Sequence, residues 1–332
     1  MRRPILQVRD LTVEVQTPRG TLRPVVDVSF DVVAGEIHGV VGESGSGKST
    51  LLRAVMGLLP SGTGITGGSI VIDGVNTMDL CERDRHKMRG STFGMVFQDP
   101  SSALSPVFTV GSQLIDGPMR HLGLDRRSAL RRAIELLERV GVPEPQTRLG
   151  AYPHQLSGGL RQRVMIAIAL SSKPKLLLCD EPTTALDVTI QDQILGLLED
   201  IRRNDGVAIV FVSHNLAVVA SLCHQVSVMY AGRIVESGLT NEIFRAPRHP
   251  YTIGLMKAMP DVWAGVKKLA GIPGITPDLM RLPQGCAFAP RCSFAQENCL
   301  AAVPVLKRSR NHQVACVRPY SALKKTTVAE HV

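Results

Sequence analysis

A glycine-rich stretch near the N-terminus has the residue types and spacing of a phosphate-binding loop. It reads GESGSGKST over residues 42–50, after the apolar run 37–41 and before the apolar-periodic segment 51–59. A strand therefore leads into the stretch and a helix leaves it, which is the context that such a loop needs. The alternative is a Gly/Ser-rich turn that caps a helix. The flanking elements and the Lys-Ser pair disfavour that alternative.

The residues of this loop have distinct predicted roles. Glycines let the backbone curl and bring its N–H groups up to the phosphates. Lys48 supplies a mobile positive charge for the β- and γ-phosphates, and Ser49 supplies an oxygen for Mg²⁺. The helix that starts here directs the positive end of its dipole at the same anion. The expected nucleotide contacts are Gly42, Ser44, Gly45, Gly47, Lys48, Ser49 and Thr50.

Two carboxylates follow a second apolar run. The segment LLLCDEP over residues 176–182 predicts a strand buried on both faces, with Asp180 and Glu181 at its carboxyl end. In parallel sheets that edge is where ligands bind. Asp180 is placed to hold Mg²⁺, and Glu181 to orient or deprotonate an attacking water. An Asp-Glu pair without the strand and the phosphate loop would be interpreted as a solvated loop.

Two more polar residues end apolar strands. The β-prone segment 93–97 ends at Gln98, and the buried run 207–212 is followed by His214. A single His in a loop is most often structural. Because His214 occupies a strand terminus as Asp180 does, we favour a contact with the γ-phosphate.

A third motif, LSGGLRQRV, lies at residues 156–164. Ser157 is a good N-cap, and the pair Gly158 and Gly159 leaves the amides of the first helical turn open to an approaching anion. The alternative is an ordinary helix N-terminus. Farther on, Asp187 opens a helix that is predicted to run through Asn204.

Composition indicates a protein of about two domains with an ample core. The 332 residues contain no run of 18 apolar residues, and polar residues interrupt the basic N-terminus before it could serve as a signal peptide, so we expect a cytoplasmic protein. Net charge is +9, from 38 Lys+Arg against 29 Asp+Glu, which fits nucleic acid or an anionic membrane face. Four arginines (Arg126, Arg127, Arg131 and Arg132) lie close together. They have no interleaved aromatic residues, which favours a solvated helix face over a nucleic-acid patch.

Four of the seven cysteines are clustered near the C-terminus: Cys286, Cys292, Cys299 and Cys316. A cytosolic chain keeps thiols reduced, so this cluster suggests a metal site before disulfides. Zinc ribbons prefer Cys pairs that are two to four residues apart. The intervals of 5, 6 and 16 residues suit a [4Fe–4S] cluster somewhat better. Zinc and ordinary buried thiols remain alternatives.

Several segments have a coarse secondary-structure prediction. Spacing predicts helices over 110–122 and 128–140, the second with an apolar stripe of Leu130, Ile134 and Leu137 that could extend to Val140. The charged segment 81–89 is interpreted as a solvated connector, and the sheet pattern stops at Thr240.

Taken together, these motifs resemble the nucleotide-binding subunits of ABC transporters, in the order in which that family carries them. The chain is most similar to the dipeptide/oligopeptide importers, on the segments QDPSSALSPVFTVG, YPHQLSGG, DEPTTALDVT, RHPYT and LPQGCAFAPRC. It resembles the D-type of the two paralogous subunits. The implied fold is α/β: a P-loop ABC domain over 1–239, with a mixed sheet core and a helical subdomain at about 99–172. A C-terminal extension with the four cysteines would occupy 240–332.

The resemblance implies a mechanism in which two ATP-binding subunits close over two ATP molecules. Each site would pair the loop 42–49 of one subunit with the tip 157–159 of its paralogue, and Asp187 would lie at the seam. Gln98 would touch Mg²⁺ or the water, while its loop contacts two transmembrane permease subunits. The protein would lie peripherally on the cytoplasmic face of the membrane, with an extracytoplasmic solute-binding protein as an indirect partner and no nucleic acid. The implied cofactors are ATP and Mg²⁺, and the family extension also favours the [4Fe–4S] cluster.

Two departures and several alternatives accompany this prediction. Val15 stands where the family usually has an aromatic residue that stacks on adenine, so we expect weakened adenine contact or looser nucleotide selectivity. Leu160 replaces a residue that is often polar or Met in relatives, and we expect it to pack without altering catalysis.

Peptide is the favoured cargo, with nickel or another small solute as the alternative. A soluble ABC ATPase acting on nucleic acid or ribosomes is disfavoured, because such proteins usually hold two cassettes and this chain has one copy of each motif. A P-loop kinase is also disfavoured, because it would need neither LSGG nor Ala185-Leu186-Asp187.

Overall fold

The computed structural model describes residues 3–184, 186–258, 271–309 and 311–319. The strands in these ranges are β1 (Pro4–Thr17), β2 (Gly20–Val33), β3 (Ile37–Val41), β4 (Thr63–Ile72), β5 (Val75–Asn76), β6 (Phe93–Val96), β7 (Leu176–Asp180), β8 (Ala208–Ser213), β9 (Gln225–Tyr230), β10 (Arg233–Leu239), β11 (Lys307–Ser309) and β12 (His312–Val314). The α-helices are α1 (Lys48–Met56), α2 (Glu82–Ser91), α3 (Pro100–Ala103), α4 (Val110–His121), α5 (Arg126–Arg139), α6 (Pro145–Arg148), α7 (Gly158–Leu170), α8 (Val188–Asp205), α9 (Leu216–Leu222), α10 (Thr240–Arg245), α11 (Pro250–Lys257) and α12 (Glu297–Ala301). Short 3-10 helices occur at Thr77–Asp79, Pro153–Gln155 and Ala289–Arg291.

The chain divides into two units. The first contains the described residues up to Gln7, together with Asp31–Ile37 and Ile70–Val212. The second contains Val8–Phe30, His38–Ser69 and the described residues from Ser213 onward. The chain passes from one unit to the other several times, so neither unit is a continuous stretch of sequence.

In the first unit, β6, β7 and β8 are parallel neighbours. Their register pairs Val96 with Cys179, and Asp180 with Val212. All residues of the three strands are buried, as expected for continuous apolar runs in a parallel sheet. Because these strands run in the same direction, the residues that follow β6 and β7 meet at one edge.

Helices α3, α4, α5 and α7 pack together in the first unit. The predicted helices over 110–122 and 128–140 are confirmed as α4 and α5. The predicted stripe on α5 is partly wrong, because the buried face is formed by Ala129, Ala133, Leu136 and Leu137. Two of these four residues are alanines, so a search for large apolar side chains alone does not find this face.

The arginine cluster and the charged segment 81–89 each agree with expectation in part. Arg126, Arg127 and Arg131 are exposed, as predicted for a solvated helix face. Arg132 is half-buried, and its Nε donates a 2.6 Å hydrogen bond to the carbonyl of Ser171 near the end of α7, so it is a structural residue. The segment that we interpreted as a connector contains helix α2. Its residues are exposed or half-exposed, and ion pairs such as Arg89 with Glu82 and Lys87 with Asp84 stabilise it.

The second unit contains a mixed sheet. Strand β3 pairs with β9 in parallel, and β9 pairs with β10 antiparallel. The prediction that sheet structure ends at Thr240 is wrong, because β12 pairs with β10 and β11 with β12. These two strands are three residues long, too short for an alternating pattern to be visible in the sequence.

A smaller sheet has the strand order β2-β1-β4-β5. On β2, the alternate residues Val26, Val28, Phe30 and Val32 are all buried, so they share the covered face of the strand. On β1 the buried set changes phase after Asp10, whose φ of 47° interrupts the extended backbone. Within the described ranges, none of the helices has both the length and the apolar character needed to cross a bilayer.

Candidate nucleotide-binding site

The phosphate loop of the second unit closes around the ammonium group of Lys48. This residue begins α1 directly after the loop and is 5% exposed. Its Nζ donates 2.9 Å hydrogen bonds to the carbonyl oxygens of Gly42 and Glu43. A positive charge therefore lies within the loop, next to the N–H groups at the start of α1. This arrangement can bind a phosphate anion.

Two glycines of the loop occupy positions that exclude a side chain. A Cβ on Gly47, whose φ is 104°, would lie less than 3.0 Å from the carbonyl oxygen of Pro24. A Cβ on Gly42 would be equally close to the carbonyl oxygen of Met229. At the tip, Gly45 has a φ of 78° and no neighbouring atom within 4 Å, and Ser44 beside it is exposed. Ser49 and Thr50 are half-buried at the start of α1.

In the first unit, the candidate catalytic carboxylate is that of Glu181. Glu181 follows β7 with a φ of 47°, and its N–H donates to the carbonyl of Val212 at 3.0 Å. Its Oε2 accepts hydrogen bonds from Gln98 Nε2 at 3.3 Å and from Thr184 Oγ1 at 2.9 Å. The structure thus brings together two residues, Gln98 and Glu181, that are 83 positions apart in the sequence. An oriented carboxylate at this strand edge can accept a proton from water.

Asp180, the last residue of β7, is 4% exposed. The following Pro182 is tied to the LSGG helix, because the buried Gln162 donates a 2.6 Å hydrogen bond to the Pro182 carbonyl. Sequence reasoning missed Gln162 and Thr184. A buried amide on a helix carries no local signal, and Thr184 could have been found from its position three residues after Glu181.

The LSGG segment forms an exposed helix tip in the first unit. Ser157 is the N-cap of α7, as predicted, and its Oγ accepts from the N–H of Leu160 at 3.4 Å. Ser157 and Gly158 are exposed, whereas a Cβ on Gly159 would lie 3.2 Å from Ile190. The tip of this helix is therefore exposed at Ser157 and Gly158, where an anion can approach the first turn.

Asp187 is exposed and caps α8. Its Oδ1 accepts from the N–H of Ile190 at 2.9 Å, and the helix continues to Asp205. The predicted helix start is confirmed, and the predicted end differs by one residue. Ala185 lies outside the described residues.

His214, in the second unit, is exposed immediately after the last residue of β8. The loop around it is fixed on both sides. Ser213 Oγ accepts from the N–H of Asn215 at 3.0 Å, and the Asn215 side chain caps α9 through the N–H groups of Ala217 and Val218. The backbone at His214 is therefore held in place, and its γ-phosphate contact stays a prediction.

All four clustered cysteines line one cavity in the second unit. The backbone draws the segment together, because the N–H of Cys286 donates to the carbonyl of Cys299 at 2.7 Å. All seven cysteines of the chain, which lie in the described ranges, are free thiols. Burial is the main cause that raises the pKa of Cys286 and of Cys292, and it raises that of Cys316 to about 11. The neighbouring thiols raise these pKa values further.

The prediction of a bound metal is not supported by the arrangement of these side chains. In the part of the chain that the structure describes, no group of three or more His, Cys, Asp or Glu side chains is placed to hold a metal ion. The cavity nevertheless collects four sulfur donors, which is the donor set of zinc and iron–sulfur sites. The donor chemistry fits a metal, although the cysteine positions do not form a finished site.

Two family models match the chain. The model described as ABC transporter matches residues 25–184, which include the phosphate loop and the strand that ends at Asp180. The model described as oligopeptide/dipeptide transporter, C-terminal region, matches residues 235–299, which include three of the four clustered cysteines.

Curated relatives are similar over nearly the whole chain. A putative peptide import ATP-binding protein of Brucella melitensis is 50% identical over 331 residues, covering 96% of this chain and 98% of that protein. The oligopeptide transport ATP-binding protein OppD of Escherichia coli is 45% identical over 319 residues, covering 96% of this chain and 94% of that protein. OppD of Haemophilus influenzae is 46% identical over 299 residues, covering 90% of this chain and 92% of that protein.

Solved structures give the same result for the fold. The dimeric structure of the bacterial ABC transporter cassette MJ0796 matches with a TM-score of 0.64 at 28% identity, covering 71% of this chain and 98% of that chain. The structure of cbiO1 from Clostridium perfringens, described as part of an ABC transporter complex, matches with a TM-score of 0.63 at 30% identity, covering 73% and 91%. The α/β cassette predicted from the motifs is therefore confirmed.

Proposed function

Because this chain belongs to the ABC transporter ATP-binding subunits of the dipeptide and oligopeptide importers, we propose that it binds and hydrolyses ATP to power peptide import across a membrane. One observation carries the hydrolytic part of this function. Glu181 stands at the carboxyl end of a buried parallel strand, with its carboxylate oriented by Gln98 and Thr184. A carboxylate in that position is suited to activate water for attack on a phosphoryl group.

The other site residues have complementary roles. The loop amides and Lys48 would bind the phosphates of ATP, while Ser49 and Asp180 would hold the Mg²⁺ that neutralises them. Glu181 would take a proton from the attacking water. His214 would donate a hydrogen bond to the γ-phosphate. When bound, Mg²⁺ would supply positive charge that stabilises the negative charge on the phosphates during hydrolysis.

A second cassette completes each site in our proposal. The exposed tip formed by Ser157, Gly158 and Gly159 offers amides to a phosphate bound in the loop of another subunit, and Asp187 would lie at the seam between the two. Support comes from the outward-facing helix tip and from the likeness to a dimeric cassette. We propose a paralogous ATP-binding subunit as the partner, with this chain as the D-type member. Hydrolysis then waits for closure, because one subunit alone leaves the γ-phosphate half-coordinated.

The transporter would also contain two transmembrane permease subunits, contacted by the loop after Gln98, and an extracytoplasmic solute-binding protein that delivers peptide to them. The protein would therefore lie at the cytoplasmic face of the membrane. The nucleotide-binding domain would span residues 1–239, with its helical subdomain at about 99–172, and the extension 240–332. The match of the oligopeptide/dipeptide model to residues 235–299 supports such an extension.

We also propose that the cysteine cavity holds a metal, as a [4Fe–4S] cluster or zinc bound by Cys286, Cys292, Cys299 and Cys316. The four thiols around one cavity support this proposal. When bound, the group would supply cross-links that stabilise the extension. Iron and zinc analysis of anaerobically purified protein tests it, with Cys292→Ser expected to lose metal and the exposed Cys81→Ser to retain it. A wild-type protein that contains neither metal would contradict the proposal.

Replacement of Glu181 by Gln tests the hydrolytic role. The amide keeps the shape of the side chain but cannot accept a proton, so we expect ATP binding near wild-type strength and hydrolysis reduced by about 10²–10⁴-fold. The exposed Glu138→Gln serves as the matched control and should hydrolyse normally. Turnover and nucleotide affinity are measured on the assembled transporter. Substantial hydrolysis by the Glu181 variant would refute the assigned role.

A further inference from the structure

A single residue of the phosphate loop, Glu43, is held by two side chains from the C-terminal part of the chain. Its N–H donates to the hydroxyl oxygen of Tyr251 at 2.8 Å. Its carboxylate accepts two hydrogen bonds from Arg291, at 2.7 Å to Oε2 and 3.0 Å to Oε1. Its carbonyl oxygen accepts from Lys48. Glu43 therefore connects the C-terminal region directly to the ammonium group inside the loop.

Contacts other than those with Glu43 also hold Arg291 in position. Its side chain is 5% exposed, and its Nε donates to the carbonyl of Pro273 at 2.9 Å. The guanidinium lies over the rings of Tyr230 and Phe288, at 5.8 Å and 6.0 Å from their centroids. The hydrogen bonds to Glu43 are the largest cause that raises the pKa of Arg291. The Glu43 side chain is 26% exposed, and its bidentate contact with the buried Arg291 has a more defined geometry than an ordinary surface ion pair.

Tyr251 is fixed by packing. It is fully buried near the start of α11, with ring centroids 4.5 Å from Tyr230 and 5.4 Å from Phe288. Burial raises the pKa of its phenol, so the hydroxyl stays neutral and accepts the Glu43 N–H. The aromatic cluster therefore determines where the hydroxyl lies, and the hydroxyl determines where the loop lies.

We propose that Arg291 and Tyr251 are positioning residues for the nucleotide: through Glu43 they hold the phosphate loop in the shape that presents Lys48 to the phosphates. This inference rests on the proposed function and extends it, because it makes the C-terminal region part of the nucleotide-binding machinery. A loop that is ordered before ATP arrives loses less conformational entropy on binding. Without the contacts of Arg291 and Tyr251 with Glu43, ATP must order the loop when it binds. The affinity for ATP then falls and the KM for ATP rises, while the rate of the hydrolytic step is little changed.

The test measures binding of a fluorescent ATP analogue with Mg²⁺ to the full chain. Arg291→Met removes both hydrogen bonds to Glu43. It should raise the Kd of the ATP analogue by about tenfold, equivalent to about 1.4 kcal/mol. Arg291→Lys keeps the charge and should recover part of this loss, and Tyr251→Phe should weaken binding less than Arg291→Met. The control is Arg281→Met, an exposed arginine of the same region, which should bind as wild type.

A double-mutant cycle separates positioning from a general effect on folding. Glu43→Gln should weaken binding by itself, and adding Arg291→Met should then change Kd by less than about twofold, because the two residues act through one contact. An equal effect of Arg291→Met in both backgrounds would show that it does not act through Glu43. If Arg291→Met does not fold, Arg291→Lys provides the same comparison.

The outcomes distinguish this inference from the proposed function. A wild-type chain that binds no ATP analogue would overturn the proposed function. A wild-type chain that binds it, together with Arg291 and Tyr251 variants that bind equally well, would overturn the positioning role alone. In the assembled transporter, a raised KM with an unchanged kcat is the expected result, and a lowered kcat with an unchanged KM would contradict it.

Discussion

The phosphate loop allows a prediction in which the same substitution has two different costs. Gly45 and Gly47 both have positive φ, and they differ in the space around them. Alanine at either position incurs the left-handed backbone penalty of roughly 1–2 kcal/mol. At Gly45 nothing lies within 4 Å, so that penalty is the whole cost. At Gly47 the new methyl group would also overlap the carbonyl oxygen of Pro24, a backbone atom that cannot rotate away.

Overpacking of this kind adds about 1–3 kcal/mol, which brings Gly47→Ala to roughly 2–5 kcal/mol. In a domain of more than 150 residues, each kcal/mol lowers Tm by about 2–4 °C. We therefore expect Gly45→Ala to melt a few degrees below wild type without nucleotide, and Gly47→Ala to melt about twice as far below it. Differential scanning calorimetry of the nucleotide-free chain measures both values.

Gly42→Ala provides an independent check, because its Cβ would meet the carbonyl oxygen of Met229. It should resemble Gly47→Ala in Tm. Equal melting of the Gly45 and Gly47 variants would refute the steric argument, since the two sites would then differ in nothing that matters for stability. ATP hydrolysis by the assembled transporter is a second readout, because a loop displaced by 1 Å is expected to lower the rate about 100-fold.

Three further predictions concern other parts of the chain. Val15→Tyr should tighten ATP binding by about 1–3 kcal/mol through base stacking, and equal affinity of the two proteins would contradict the predicted role of this position. Gln162→Ala should lower the free energy of unfolding by about 1–3 kcal/mol, because it removes a buried hydrogen bond to Pro182; a denaturation midpoint equal to wild type would contradict this. Burial raises the pKa of Glu36 above 4.5, so its protonated form stabilises the fold and this contribution is lost as pH rises through the folded-state pKa. Glu36→Gln should therefore raise Tm relative to wild type above pH 4.5 and not below it, and a difference that does not depend on pH would contradict the assignment.

The sequence was most informative where the chemistry is local. A strand, a glycine-rich loop and a helix in direct succession define the phosphate loop, and an apolar run ending in two carboxylates defines the strand edge at Glu181. Each motif is contained in about ten residues, so residue type and spacing suffice to predict it. Ser157 and Asp187 were predictable for the same reason, since an N-cap bonds to the N–H groups of its own helix.

Predictions failed where small residues or short strands decide the structure. The buried face of α5 contains Ala129 and Ala133, which a search for large apolar residues passes over. The strands β11 and β12 have three residues each, and β12 contributes His312, whose Nε2 lies 2.6 Å from the buried Glu236. A histidine beside a carboxylate from a distant strand gives no alternating apolar signal.

The amino-acid order alone predicts which motifs would bind a phosphate and carry the carboxylates at the strand edge, because each motif depends on neighbours along the chain. Tertiary structure alone decided that Gln98 reaches Glu181 and that Arg291 and Tyr251 hold Glu43 across more than 200 positions. The difference has a physical reason. Contacts within a motif follow from the fixed geometry of the backbone, whereas a contact between distant residues exists only when the packing of strands and aromatic rings brings both partners to one place.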